Sequence, residues 1–96
     1  MIKGDILLEL KNYLRKNKGK HQIIRIGIFG SAARGEMMDN SDIDIVVQLR
    51  QQDLFHLIGI KQDLEESFNL PVDIVSYRDN MNASLKKRID REAVYV

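Results

Sequence analysis

Residues 30–47 read GSAARGEMMDNSDIDIVV, and this stretch decides the fold. A β-branched run, Ile23 to Phe29, leads into Gly30-Ser31, and a short polar segment leads out to Ser41-Asp42-Ile43-Asp44. That order predicts a strand, a tight strand-to-helix turn, one short helical turn over Ala32 to Gly35, a loop from Glu36 to Ser41, and a second strand from Ile43 to Gln48. Side chains two apart on a strand point the same way. Ile43, Ile45 and Val47 therefore share one face of the second strand, and Asp42, Asp44 and Val46 share the other. In the first strand, alternation sets Ile24, Ile26 and Ile28 against Ile23, Arg25, Gly27 and Phe29.

Upstream, Asp5 is placed to cap a first helix whose apolar residues Ile6, Leu7, Leu10, Tyr13 and Leu14 follow the helical period. Asn17, Lys18 and Gly19 are expected to stop it. The basic cluster Lys11, Arg15, Lys16, Lys18 and Lys20 reads as a solvated face rather than a nucleic-acid contact. Downstream, Asp53 caps a longer helix with Leu54, Leu57, Ile58, Leu64 and Phe68 as its buried stripe, and Asn69 and Pro71 end it. Val72 and Ile74 then alternate with Asp73 and Val75 in a third strand. Asn80 or Asn82 opens a last helix with Met81, Leu85 and Ile89 inward, and Val94 to Val96 can add a short edge strand.

One face of each strand is aliphatic and must be the face that helices cover. The opposite faces collect Arg25, Gly27, Asp42, Asp44 and Asp73, so three carboxylates converge on the less covered side, with Val46, Val75 and Phe29 suggesting the rim of a cleft. For Gly30 to meet Asp42 the first two strands must run antiparallel, which the short connection between them allows. A helical crossover favours a parallel pair for the second and third. The expected class is α/β (α+β): a small mixed sheet of three to four strands, helices mainly on one face, a single domain over residues 1–96.

Composition narrows the function. Hydrophobic residues at 44% and charged residues at 30% fit a globular chain, and a net charge of +1 gives no global field for gripping nucleic acid. Cysteine is absent, which rules out disulfides and thiolate metal sites. With no signal-peptide core and no apolar run of spanning length, a cytoplasmic location is the expectation.

Asp42 and Asp44, with Cα atoms about 6.6 Å apart, can share magnesium ions spaced roughly 3.5 to 4 Å. Asp73 can complete one metal position or accept a proton from an attacking hydroxyl. Gly30 gives a phosphate close approach to the backbone, and Ser31 offers its hydroxyl and N–H. Gly-Lys-Ser and G-x-G-x-x-G are both absent, so this is neither a Walker loop nor a dinucleotide fingerprint. Arg34 can neutralise triphosphate charge or pair with Glu36 or Asp39. Met37 and Met38 either fold back onto the first helix or form a partner-contacting patch. His21 and His56 read as isolated structural residues, and Tyr77 and Tyr95 as part of the core or an interface.

GSAARGEMMDNSDIDIVV resembles the signature of the DNA polymerase β-type nucleotidyltransferase superfamily, in which Gly-Ser is followed by Asp-x-Asp. Its Ala-Arg-Gly and Ser-Asp-Ile-Asp details resemble the minimal nucleotidyltransferases, often encoded beside a HEPN-domain protein and acting as its antitoxin. The likeness runs over nearly the whole chain and implies the nucleotidyltransferase fold. It implies that Asp42, Asp44 and Asp73 are the catalytic, magnesium-binding carboxylates and the seat of two ions, and that Gly30 and Ser31 hold the β- and γ-phosphates, with Arg34 and Ser41 completing the nucleotide site. It further implies transfer of a nucleoside monophosphate, usually AMP from ATP, to a hydroxyl, in the minimal branch a tyrosine of the HEPN partner. A chain this short has no evident acceptor-binding domain, which agrees with an acceptor carried on another protein. Two other readings stay open here: a non-catalytic antitoxin that occludes its partner, and an antibiotic-type small-molecule nucleotidyltransferase completed by dimerisation.

Overall fold

In the computed structural model, which describes residues 1–96, the chain runs α1 (Lys3–His21), β1 (Ile23–Ile28), α2 (Gly30–Arg34), β2 (Ile43–Leu49), α3 (Leu54–Phe68), β3 (Val72–Ser76), α4 (Ala83–Glu92) and β4 (Val94–Tyr95). The strands form one mixed sheet in the order β3-β2-β1-β4. β1 is antiparallel to β2 and to β4, and β2 is parallel to β3, as the connection lengths require. No helix is long and apolar enough to cross a membrane.

α1 and α3 cover one face of the sheet, over a core that includes Ile6, Leu10, Ile26, Ile28, Ile43, Ile45, Val47, Ile60 and Leu64. The other face carries a smaller cluster, in which Ile89 of α4 sits on Phe29 and Val46 with Val75, Tyr77, Met81, Leu85 and Tyr95 around it. Val46, Val75 and Phe29 are therefore packing under α4 and not the rim of an open cleft.

Several local expectations change. Ile23 faces Leu49 while Arg25 faces Gln48, so β1 holds one extra residue. This bulge turns Ile24 outward, 47% exposed, and puts Ile23 in the core beside Ile26 and Ile28. α1 begins at Lys3, leaving Asp5 in its first turn, and continues through Gly19 to His21, ending at Gln22 in the left-handed region with φ 54°. On α3, Asp53 caps as expected, its side chain accepting the Phe55 N–H at 2.8 Å. The buried residues there are Ile60, Leu64 and Phe68, whereas Leu54 and Ile58 are exposed. Asn82 opens α4 by accepting the Leu85 N–H at 3.0 Å, and Met81 lies just before the helix.

The longer α1 also brings the two histidines together. His21 is buried, with its Nδ1 2.9 Å from Nδ1 of His56, so one ring donates and the other accepts. Nearby, the Tyr13 hydroxyl donates to Asp63 at 2.8 Å. The two histidines are thus a joined structural pair rather than isolated residues. Burial, and then the charges of His56 and Lys20, depress the pKa of His21 against the opposing pull of Asp63. A depressed histidine stabilises the fold above its unfolded pKa of 6.5 and loses that contribution as pH falls through the folded value. Thermal melts from neutral pH down to about pH 5 should show acid destabilisation that is smaller in His21→Gln than in the wild type.

Candidate active site

Pairing of β1 with β2 continues one residue past the strand, where the Phe29 N–H donates to the Asp44 carbonyl at 3.0 Å. The chain then turns at Gly30 with φ 64°. A side chain is strained in this left-handed region. Space excludes one as well: a Cβ on Gly30 would collide with the Asp44 carboxylate and lie 3.1 Å from Arg88 Nη2. Gly30 thus abuts Asp44 rather than Asp42, because Ile28 pairs with Ile45 and so brings the Phe29-Gly30 turn to Asp44.

Asp44 stands directly beside Asp73 in the parallel β2–β3 register. Asp42 precedes β2 and is exposed, as is Asp73, while Asp44 is half-buried. Burial raises the pKa of Asp44 most, and the Asp73 charge adds to it; Arg88 opposes, Asp42 raises it further and Arg34 opposes. The three carboxylates are therefore electrostatically coupled. Their side chains do not close on one point, since no three acidic or imidazole groups stand near enough to enclose a metal ion. Like charges favour such separation.

α2 places the remaining expected residues. Ala32 and Ala33 are buried against the core, Ser31 is half-exposed, and Arg34 points outward. Arg34 Nε donates to Glu36 at 3.0 Å and Nη1 to Glu92 at 3.1 Å, and its second partner is Glu92, not Asp39. Ser41 closes the loop ahead of Asp42: its hydroxyl accepts the Met38 N–H at 3.0 Å and its own N–H donates to the Met38 carbonyl at 2.9 Å. Met37 packs on the core beside Ile6, as the fold-back expectation has it, whereas Met38 is exposed.

Two residues of α4 were not anticipated. Glu92 accepts from the Gly30 N–H at 3.3 Å and from Arg88 Nε at 3.4 Å, besides its bond from Arg34. Burial alone would raise the Glu92 pKa, but Arg34, Arg88 and the Gly30 N–H outweigh it and hold it below the usual carboxylate range. A sequence signal existed: Glu92 falls three residues after Ile89, on the helix face read as apolar. The largest cavity, about 540 Å³, lies away from the acids, between Leu54 and Leu57 of α3, the end of β3 and Leu85 of α4.

A β-strand, a glycine turn against a carboxylate and a neighbouring strand with a third aspartate match a known pattern. The family described as Polymerase beta, Nucleotidyltransferase matches residues 9–96. The chain belongs to this nucleotidyltransferase family. It is 36% identical over 92 residues to the protein adenylyltransferase MntA of Thermococcus cleftensis, covering 95% of this chain and 89% of that protein. A crystal structure of a toxin-antitoxin with AMP-PNP superposes with a TM-score of 0.76 at 26% identity, over 92% of this chain and 69% of that one. The fold also matches, with a TM-score of 0.72 at 21% identity over 98% of this chain and 71% of the other, a structure of tri-AMPylated Shewanella oneidensis HEPN toxin with its MNT antitoxin.

Two outcomes follow for this nucleotidyltransferase. Gly30→Ala combines left-handed strain with a clash and should cost about 1–3 kcal/mol in chemical denaturation. Asp44 has a raised pKa, so its ionisation opposes folding: the fold is favoured below the unfolded value of 3.8 and that advantage is lost as pH rises through the folded one. Asp44→Asn should accordingly melt higher than the wild type at neutral pH without divalent cations, and the gap should close as pH falls below about 4.

Proposed function

We propose that this nucleotidyltransferase is a protein adenylyltransferase that moves AMP from ATP onto a tyrosine hydroxyl of a HEPN-domain toxin, for which it is the antitoxin. The observation that carries this reading is the Gly30 turn locked against Asp44, with Asp73 beside it and Asp42 two residues before it. The names of the relatives support the same chemistry: an adenylyltransferase, a toxin-antitoxin with an ATP analogue, and an AMPylated HEPN toxin.

The donor set of Asp42, Asp44 and Asp73 consists only of hard carboxylate oxygens, and their coupled like charges suit a divalent cation. Two magnesium ions held there would neutralise charge on the α-phosphate and on the departing pyrophosphate. The chain's own part is positioning. Gly30 leaves the backbone open to close approach by a phosphate, and the Ser31 hydroxyl and N–H extend that contact. Arg34 adds positive charge toward the triphosphate, and Ser41 holds the loop that delivers Asp42. The tyrosine oxygen attacks the α-phosphorus in line, its proton passes to Asp73, and the bond from the α-phosphorus to the bridging oxygen breaks as pyrophosphate leaves.

Intact mass spectrometry of a HEPN-domain toxin, incubated with the protein, ATP and magnesium, tests the reading. The expected result is a gain of one or more AMP units on a tyrosine, reduced about a hundredfold or more by Asp44→Asn. A partner that binds tightly yet stays unmodified would overturn the catalytic role in favour of occlusion.

A further inference from the structure

We propose that Glu92 is an internal anion seated where the triphosphate binds, and that Arg88, which it holds, is a further phosphate-binding residue of this site. The inference rests on the nucleotide site proposed above and extends it to α4.

Three donors from three parts of the chain meet on the one carboxylate. Arg34 of α2 bonds Glu92 Oε1 at 3.1 Å, while the Gly30 N–H at the turn and Arg88 Nε of α4 bond Oε2 at 3.3 and 3.4 Å. Two guanidinium groups and a backbone N–H around a pair of anionic oxygens form the donor set that a phosphate oxygen also takes. The position matters as much as the chemistry. Arg88 reaches from Glu92 across to Gly30 and Asp44: its Nη2 lies 3.1 Å from where a Gly30 Cβ would sit, and its charge acts on Asp44. One arginine thus stands at the turn and acts by its charge on the carboxylate cluster.

Exposure is divided in a telling way. The Glu92 side chain is 18% exposed, whereas those of Arg34 and Arg88 are 42% and 43% exposed. The anion is the enclosed partner and the cations face solvent, where an incoming polyanion can reach them. Solvent-facing ion pairs of this kind add little stability, so a simple tie between α2 and α4 gives a weak account of three donors on one oxygen pair. A triphosphate carries several negative charges against one on Glu92, and it can draw the same donors away. Binding then exchanges one anion for another, and Glu92 sets how much affinity remains.

Calorimetric titration with inorganic tripolyphosphate and with ATP, run beside thermal melts, tests the exchange in the wild type, Glu92→Gln, Arg88→Gln and Arg88→Lys. Tripolyphosphate reads the cradle without any contribution from the base. Glu92→Gln should bind both ligands about tenfold more tightly, Arg88→Gln about tenfold more weakly, and Arg88→Lys should recover part of the loss. Equal or weaker binding by Glu92→Gln while the wild type binds ATP would overturn this inference and leave the nucleotide reading standing. Failure of both the wild type and Glu92→Gln to bind either ligand would overturn the two together. In the unaltered protein, tripolyphosphate should shift the Gly30 amide and the Glu92 carboxylate resonances. Binding that leaves both unmoved would also overturn the proposal, whatever the fate of the variants.

Discussion

The site depends on one register. Phe29 donates its N–H to the Asp44 carbonyl, and that bond delivers the Gly30 turn to the Asp44 side chain. A slip of one residue would send Asp44 toward the core and put an isoleucine beside the turn, because strand side chains alternate. What forbids the slip is hydrophobic. Ile43, Ile45 and Val47 are fully buried beneath the helices, and a one-residue slip would turn all three to the opposite face. Burying each such side chain contributes about 1.5–3 kcal/mol, far more than the backbone bond at the turn. The core therefore fixes the geometry of a site to which it contributes no atom.

The two faces of the sheet divide the work. α1 and α3 seal the first face and hold the register. α4 covers only part of the second, anchored by Ile89 on Phe29 and Val46, and the adjoining part carries Asp44 and Asp73. Anchoring α4 through Ile89 carries Arg88 and Glu92, its neighbours on the helix surface, to the Gly30 turn. Burial of the Asp44 carboxylate, and then the charges of Asp73 and Asp42, oppose folding by raising its pKa, and the chain offsets part of that with the charges of Arg88 and Arg34. A fold that keeps such repulsion places it where function, not stability, needs it.

Much of this was legible in the sequence, and the limits have physical causes. Alternation placed Asp44 and Asp73 on one face, the helical crossover gave the parallel pairing of β2 and β3, and the Asp53 cap and the Asn82 alternative were both correct. Alternation failed at Ile24 because a bulge inserts a residue without altering the composition around it. The end of α1 was misread because the local cost of Gly19 in a helix, about 1 kcal/mol, is overridden by tertiary packing that buries His21. The His21–His56 contact joins residues 35 apart, a distance at which no periodic pattern speaks. Arg88 and Glu92 escaped notice because the last helix was read for its apolar stripe alone, although a carboxylate on that stripe needs a charged or hydrogen-bonding partner.

The distribution of cations completes the account of how a chain with a net charge of only +1 can address a polyanion. Arg25 is clamped between the rings of Tyr95 and Tyr77, at 4.2 and 5.0 Å, and its Nε donates to Gln48. Its charge is occupied by aromatic faces and an amide. Arg34 and Arg88 are held instead by a carboxylate, a partner that a more highly charged anion can replace. Affinity for such a ligand then does not require a basic surface. It requires a small set of cations gathered at one turn and held there by a partner weaker than the ligand, and the packing of α4 on the second face provides that arrangement.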